Sequence, residues 1–237
     1  MHRNRYRPMA RANPSNAEWY RIENKTATHA SVMIYEEIGY YGVSANDFVR
    51  EIGALQVDTM DVLINSPGGD VWDGLAIYNA LKSHPATVTT KVDGIAASAA
   101  SFIFQAGDVR EIARNGQVMI HDAAGMCIGN ASDMQKMMDL LDKASNNIAD
   151  IYAQSSGIPA DKWRAAMLAE TWYSGSEAVA SGLADLVTGE DPSADPKGSA
   201  GTNSTSKSSL VSRETLRPVD VGTDYDAIKR ALKEAFQ

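Results

Sequence analysis

Gly94-Ile95-Ala96-Ala97-Ser98-Ala99-Ala100-Ser101 is the stretch on which the reading of this chain turns. A serine set among alanines and one glycine fits a strand-to-helix elbow that holds a hydroxyl out as a nucleophile. Small neighbours let a substrate backbone come close and leave no other reactive group nearby. Upstream stands Asn65-Ser66-Pro67-Gly68-Gly69, and Met119-Ile120-His121-Asp122 places a histidine 23 residues after Ser98. The three stretches offer a nucleophile, a base and a glycine turn with free backbone N–H groups.

The pattern outward from the elbow alternates strand and helix. Strands are expected at 29–35, 61–65, 87–92 and 117–121, the last with His121 at its C-terminal end. The segment 94–98 reads as a turn after the third of these. Helices are expected from Ser44, as N-cap, to Leu55, after the Pro67-Gly68-Gly69 turn up to His84-Pro85, and from Ser98 to Ala106. A long helix spans Ser132 to Gln154, with Met134, Met137, Met138, Leu141, Ile148 and Ile151 in helical period. Shorter helices cover 160–168 and 176–180, the second ending at Gly182. This alternation predicts an α/β fold of repeated βαβ units around a largely parallel sheet.

The ends differ in composition. Residues 1–17 carry Arg3, Arg5, Arg7 and Arg11 and no acid, which reads as a flexible basic arm, either a plain leader or a piece that docks on an acidic partner. The ordered domain is expected over 18–188. Residues 189–215 form a polar linker too poor in apolar side chains to pack. The tail, 216–237, holds a short amphipathic helix with Ile228, Ala231, Leu232 and Phe236 on one stripe.

Composition excludes several classes. The formal net charge of −8 argues against nucleic acid as a partner. No apolar run reaches the roughly 20 residues that span a bilayer, and no secretory h-region follows the N-terminal arginines. Cys127 is the one cysteine, so no intrachain disulfide can form, and a reducing, cytoplasmic setting is expected. Cys127 reads as a small packing residue rather than a nucleophile. The four histidines are scattered and form no metal pattern, and no cofactor motif appears; Gly68-Gly69 lacks the Lys-Ser/Thr ending of a phosphate loop.

A serine hydroxyl at neutral pH needs a base, and the base needs an orienting acceptor. His121 is the best base in this chain, because His2 lies in the arm, His29 in an early strand and His84 at a helix stop. Gly68 and Gly69 fit a tight turn with positive φ and equally an oxyanion hole, in which a glycine N–H joins the N–H of Ala99. The two readings are compatible.

The motifs Asn65-Ser66-Pro67-Gly68-Gly69, Gly94-x-Ala96-Ala97-Ser98 and Met119-Ile120-His121 resemble those of the ClpP-type serine peptidases. The likeness continues through Gly129-x-Ala131-Ser132-Asp133 and ends at Ser174-x-x-Glu177-Ala178-Val179-x-x-Gly182-Leu183-x-Asp185. It covers about Ile34 to Val187. It implies the ClpP/crotonase-like fold with a protruding handle helix that joins two rings of subunits. It implies Ser98 as nucleophile, His121 as base and the N–H groups of Gly69 and Ala99 as oxyanion hole. Gly68 and Gly129 would bind substrate. The family's third catalytic position, an aspartate, is occupied here by Glu170, with Asp122 as the rival. We rank Asp122 second because neighbours on a strand point to opposite sides.

Two departures set the chain apart from the housekeeping subunit: its N-terminal segment, and a short stretch from Gly42 to Asn65. Docking to a Clp-type ATPase is therefore not part of the expectation, and ATP-independent and ATPase-assisted action both stay open. The short form and the polar C-terminal extension resemble the ClpP-related head-maturation proteases of tailed phages. That likeness implies capsid or scaffold proteins as substrates, in the host cytoplasm or the prohead interior, and self-cleavage within 189–212. Two other classes stay open on sequence: a crotonase-type acyl-CoA enzyme and a non-catalytic assembly subunit.

Overall fold

The computed structural model describes residues 19–24, 26–39 and 45–189. Eight strands form one sheet: β1 (Tyr20–Asn24), β2 (His29–Ile34), β3 (Thr59–Ser66), β4 (Thr87–Ala97), β5 (Val109–Ala113), β6 (Gln117–Ile120), β7 (Thr171–Ser174) and β8 (Leu186–Thr188). The main path runs β1-β2-β3-β4-β5-β8, and β6 leaves it to pair with β4 and β7. Every pairing is parallel except β1–β2 and β6–β7. The predicted α/β architecture is therefore what the chain adopts.

β4 extends beyond the expected strand. The stretch Gly94–Ala97, read from sequence as a turn, continues the strand, and the chain turns only at Ser98. The first half of β4, Thr89–Val92, pairs with β5, and its last part, Ile95–Ala97, pairs with β6. The sheet forks at Gly94. A side chain there would begin 2.6 Å from Asn65 Oδ1, the oxygen that accepts the Ile95 N–H. The fork sends β6, and His121 after it, to the same end of β4 as Ser98.

The helices are α1 (Ala45–Ala54), α2 (Val71–Lys82), α3 (Ala99–Ile103, continued by a 3-10 turn over Phe104–Ala106), α4 (Ala131–Ser156), α5 (Ala160–Leu168) and α6 (Gly175–Ala180). Asp70 caps α2 through the N–H groups of Trp72 and Asp73. Asn130 and Asp133 form a capping box on α4, and Gly157 ends that helix at φ 74°. Met60, Val62 and Ile64 alternate inward along β3, as Val88, Thr90 and Val92 do along β4. Trp19 stacks on Phe48 of α1 with ring centroids 5.4 Å apart, which closes one end of the core. Glu51 of the same helix accepts the Tyr20 hydroxyl.

α4 has two unlike halves. From Ala144 onward it is buried through Ile148, Ala149, Ile151 and Tyr152, and α5 adds Trp163 and Met167. Before Ala144 no residue of the helix is buried, and Met134, Met138 and Leu140 are exposed. The apolar period seen in the sequence thus continues past the core, and the helix protrudes, as the handle reading expects. The irregular segment 121–130 runs back along this half, with Gly125 against Met137 and Leu141.

Four strands were not foreseen. β1, β7 and β8 are short, and β5 interrupts its apolar residues with Arg110 and Glu111. Arg110 is 8% exposed and is held by both carboxylate oxygens of Asp185, by Gln105 Oε1 and by the Gly182 carbonyl. A fully partnered guanidinium can occupy a strand position that hydropathy assigns to solvent. The Ser44 cap, the basic arm, the linker and the tail helix lie outside the described residues.

Candidate active site

Ser98 occupies the step from β4 to α3 at φ 53°, ψ −122°. Positive φ in a non-glycine residue costs on the order of 1–3 kcal/mol and persists where the surroundings hold it. Among the described residues only Ser98 and Glu170 have it. The restraints at Ser98 are specific. Its N–H donates to Met119 O of β6 at 2.9 Å. Its carbonyl accepts from the Ser101 N–H at 3.0 Å and from Ser101 Oγ at 2.5 Å. Ser101 Oγ in turn lies 2.7 Å from the hydroxyl of the buried Tyr152.

The small residues of the elbow follow from close backbone approach. A side chain at Gly68, where φ is 95°, would begin 2.6 Å from Ala97 O, 2.6 Å from Ser98 Cβ and 2.7 Å from Ala99 N. Gly74 of α2 is pressed in the same way against Ala99 and Phe102. Gly69 lies against Ile38 at distances no side chain could share, so the turn needs glycine at both positions. The Gly68 N–H donates to Ser66 Oγ and the Asp70 N–H to Ile38 O. The Gly69 N–H has no hydrogen-bond acceptor among the described residues. Ala99 is the first residue of α3, so its N–H has no acceptor within the helix.

His121 is the first residue after β6. Its Nε2 stands 2.7 Å from Ser98 Oγ. Burial lowers its pKa from the usual imidazole value, against the opposing carboxylates of Glu170 and Asp122. The sign favours a neutral ring, the form that can accept the serine proton. Gly69, Val71, Ser98, Phe102, His121, Asp122, Ala123, Ala124, Ile148 and Tyr152 line an open cavity of about 120 Å³ over this pair.

The antiparallel β6–β7 register pairs Ile120 with Thr171, so the next pair outward sets Glu170 opposite His121. Glu170 sits at φ 51° on an exposed turn. Its carboxylate acts on the imidazole as a charge, with no hydrogen bond between the two side chains among the described contacts. Asp122 lines the same cavity as His121, because the strand has ended and strict alternation no longer applies. That removes our ground for ranking it lower, but its carboxylate is taken by Arg164, which also reaches Asp142 at 3.0 Å. Burial raises the Asp122 pKa, and the Arg164 charge opposes that rise.

Gly129 lies apart from the cavity lining, next to the α4 cap and pressed against Asp133. Cys127 donates to Asp133 O at 3.7 Å. His29 bonds Thr59 Oγ1 and His84 accepts from the Ala86 N–H, so both are engaged elsewhere. Sequence reasoning missed Ser101, Tyr152 and Arg164. Ser101 stands in the stretch first read, but nothing local shows that a tyrosine 51 residues away meets it. No cluster of three or more metal-ligating side chains occurs among the described residues, and no helix there is long and apolar enough to cross a membrane.

A family model described as Clp protease matches residues 14–191. Three relatives carry the name ATP-dependent Clp protease proteolytic subunit. That of Pleurastrum terricola is 37% identical over 131 residues, 54% of this chain and 67% of the relative. That of Deinococcus radiodurans is 33% identical over 130 residues, covering 54% of this chain and 64% of its own length. That of Bacteroides fragilis is 31% identical over 168 residues, covering 66% and 81%. A matched family model spanning most of the chain, over a strained serine elbow with histidine in contact, leads to one conclusion: the chain belongs to the Clp protease family, a family of serine endopeptidases.

Proposed function

We propose that this chain cleaves peptide bonds through an acyl-enzyme on Ser98. The contact between His121 Nε2 and Ser98 Oγ at 2.7 Å carries this reading. His121 accepts the hydroxyl proton as Ser98 Oγ bonds to the scissile carbonyl carbon. The N–H groups of Gly69 and Ala99 stabilise the oxyanion; one such donor is worth roughly 3–4 kcal/mol in known enzymes. The imidazolium then protonates the leaving amine as the C–N bond breaks. Water, deprotonated by the same imidazole, releases the acid and restores Ser98. Glu170 supports the imidazolium by charge, and Asp122 is held by Arg164. Gly68 keeps the oxyanion turn against the elbow, whereas Gly129 lies by the α4 cap and takes no part in this scheme. A crotonase-type acyl-CoA enzyme would have no use for the Ser98–His121 contact.

A fluorophosphonate probe tests this directly. Ser98 should be labelled, and labelling should vanish in Ser98→Ala and fall to background in His121→Ala. Absence of labelling in folded, assembled protein would refute it.

The finer setting we infer is prohead maturation, with capsid or scaffold proteins as substrates and a homo-oligomeric ring as the working form. It is supported by the short segment before Asn65 and the polar extension after 188. Mass spectrometry of purified protein should show loss of C-terminal residues, and Ser98→Ala should keep them. A wild-type chain that stays full length would count against this setting and leave the peptidase reading standing.

A further inference from the structure

His121 has left β6, so its position depends on what holds the residues that follow. Two contacts do so. The Ala123 N–H donates to Ser145 Oγ of α4 at 2.9 Å. Arg164 of α5 grips the Asp122 carboxylate with one guanidinium nitrogen and Asp142 of α4 with the other. Arg164 and Asp122 are both partly buried, with side chains 24% and 27% exposed. The pair is therefore screened less than a surface ion pair.

Three groups face His121: Ser98 from the elbow, Glu170 from the turn before β7, and Asp122 beside it. Three face Asp122: Arg164, Asp142 and His121. An unpaired Asp122 carboxylate would compete with Ser98 for the ring and favour the imidazolium. The guanidinium prevents both by turning that carboxylate towards α4 and α5.

We propose that Arg164 is a positioning residue for the base: by engaging Asp122 it keeps His121 Nε2 on Ser98 Oγ and offsets the pull of the Asp122 charge on the ring. This rests on the serine peptidase reading above. Arg164 touches no reacting atom; it reaches the base through Asp122 and anchors that carboxylate to α4 through Asp142, and the pH profile separates this from a plain stabilising role.

The experiment is the rate of fluorophosphonate labelling of Ser98 in the full chain, measured from below to above the usual imidazole pKa. In Arg164→Gln the acid limb should move up by about half a pH unit, so that the rate on that limb falls about threefold. In Asp122→Asn the limb should move down. In the double variant it should return to the wild-type position. A limb that stays in place in folded Arg164→Gln overturns the proposal, as does a shift that the double variant fails to reverse. Should Arg164→Gln not fold, Asp122→Asn decides: a downward limb supports the proposal and an unmoved limb overturns it. Wild-type protein that labels at no pH would instead remove the peptidase reading, and this inference with it.

Discussion

Replacing Gly68 by alanine should damage the elbow directly. Two effects combine. The residue sits at φ 95°, which costs an L-residue roughly 1–2 kcal/mol. The new Cβ would also lie 2.6–2.7 Å from Ala97 O, Ser98 Cβ and Ala99 N, against 3.4 Å or more in an ordinary contact. None of these atoms is the free end of a flexible side chain, so the deficit of about 0.7–0.8 Å must be met by moving the turn or the elbow. Overpacking of this kind costs about 1–3 kcal/mol. At roughly 2–4 °C per kcal/mol for a domain this size, the combined ~2–5 kcal/mol should lower the melting temperature by about 4–20 °C. A displacement approaching 1 Å between nucleophile and oxyanion donors costs on the order of 100-fold in rate. The assay is fluorophosphonate labelling of Ser98, read by mass below the variant's melting temperature. Labelling within about threefold of wild type, with an unchanged melting temperature, would refute the close approach and the placing of the oxyanion turn built on it.

Gly53 is the matched control: it is exposed in α1 with open space where a side chain would go, so Gly53→Ala should stabilise by about 0.5–1 kcal/mol and leave labelling unchanged. Glu170→Ala should slow labelling about tenfold, far less than the ~10⁴ typical of a hydrogen-bonded triad acid, because charge alone links it to His121. Arg110→Met should lower stability by about 2–4 kcal/mol in denaturant titration, since it strands Asp185 and Gln105. Burial raises the Asp185 pKa but its bonds to Arg110 outweigh that and hold it below the usual value, so this stability is present above the ordinary carboxylate pKa and is lost as pH falls through the depressed one. Met134→Asp with Met138→Asp should reduce the assembled mass in light scattering while labelling of the remaining species persists; an unchanged mass would argue against the protruding half of α4 as an assembly surface.

The parts of this structure legible from sequence are those that local chemistry determines. A short apolar run announced β3 and the stretch 87–92 announced the first part of β4, and the Pro67-Gly68-Gly69 turn and the Ala-rich elbow announced two close backbone approaches. What stayed hidden depends on partners far along the chain. β5 carries Arg110, which becomes a core residue only because Asp185 arrives beside it. β7 is a four-residue strand, and without it nothing places Glu170 opposite His121 except family likeness. Asp122 was set aside on strand alternation, and the strand ends one residue too early for that rule. Gly94 pointed to a turn, yet it lies within β4, where it admits the approach of Asn65 and the sheet forks.

β6 is only four residues long, yet the Ser98 N–H rests on its Met119 carbonyl, His121 extends it, and its other edge aligns Glu170. The residues of the site therefore share one cooperative unit of local opening. Amide exchange at Ser98 and at the β6–β7 pairs should report a common opening free energy. Any excursion that frees this strand would disarm nucleophile, base and acid together, so such a chain would pass between armed and unarmed states without a half-built site that could cleave at random.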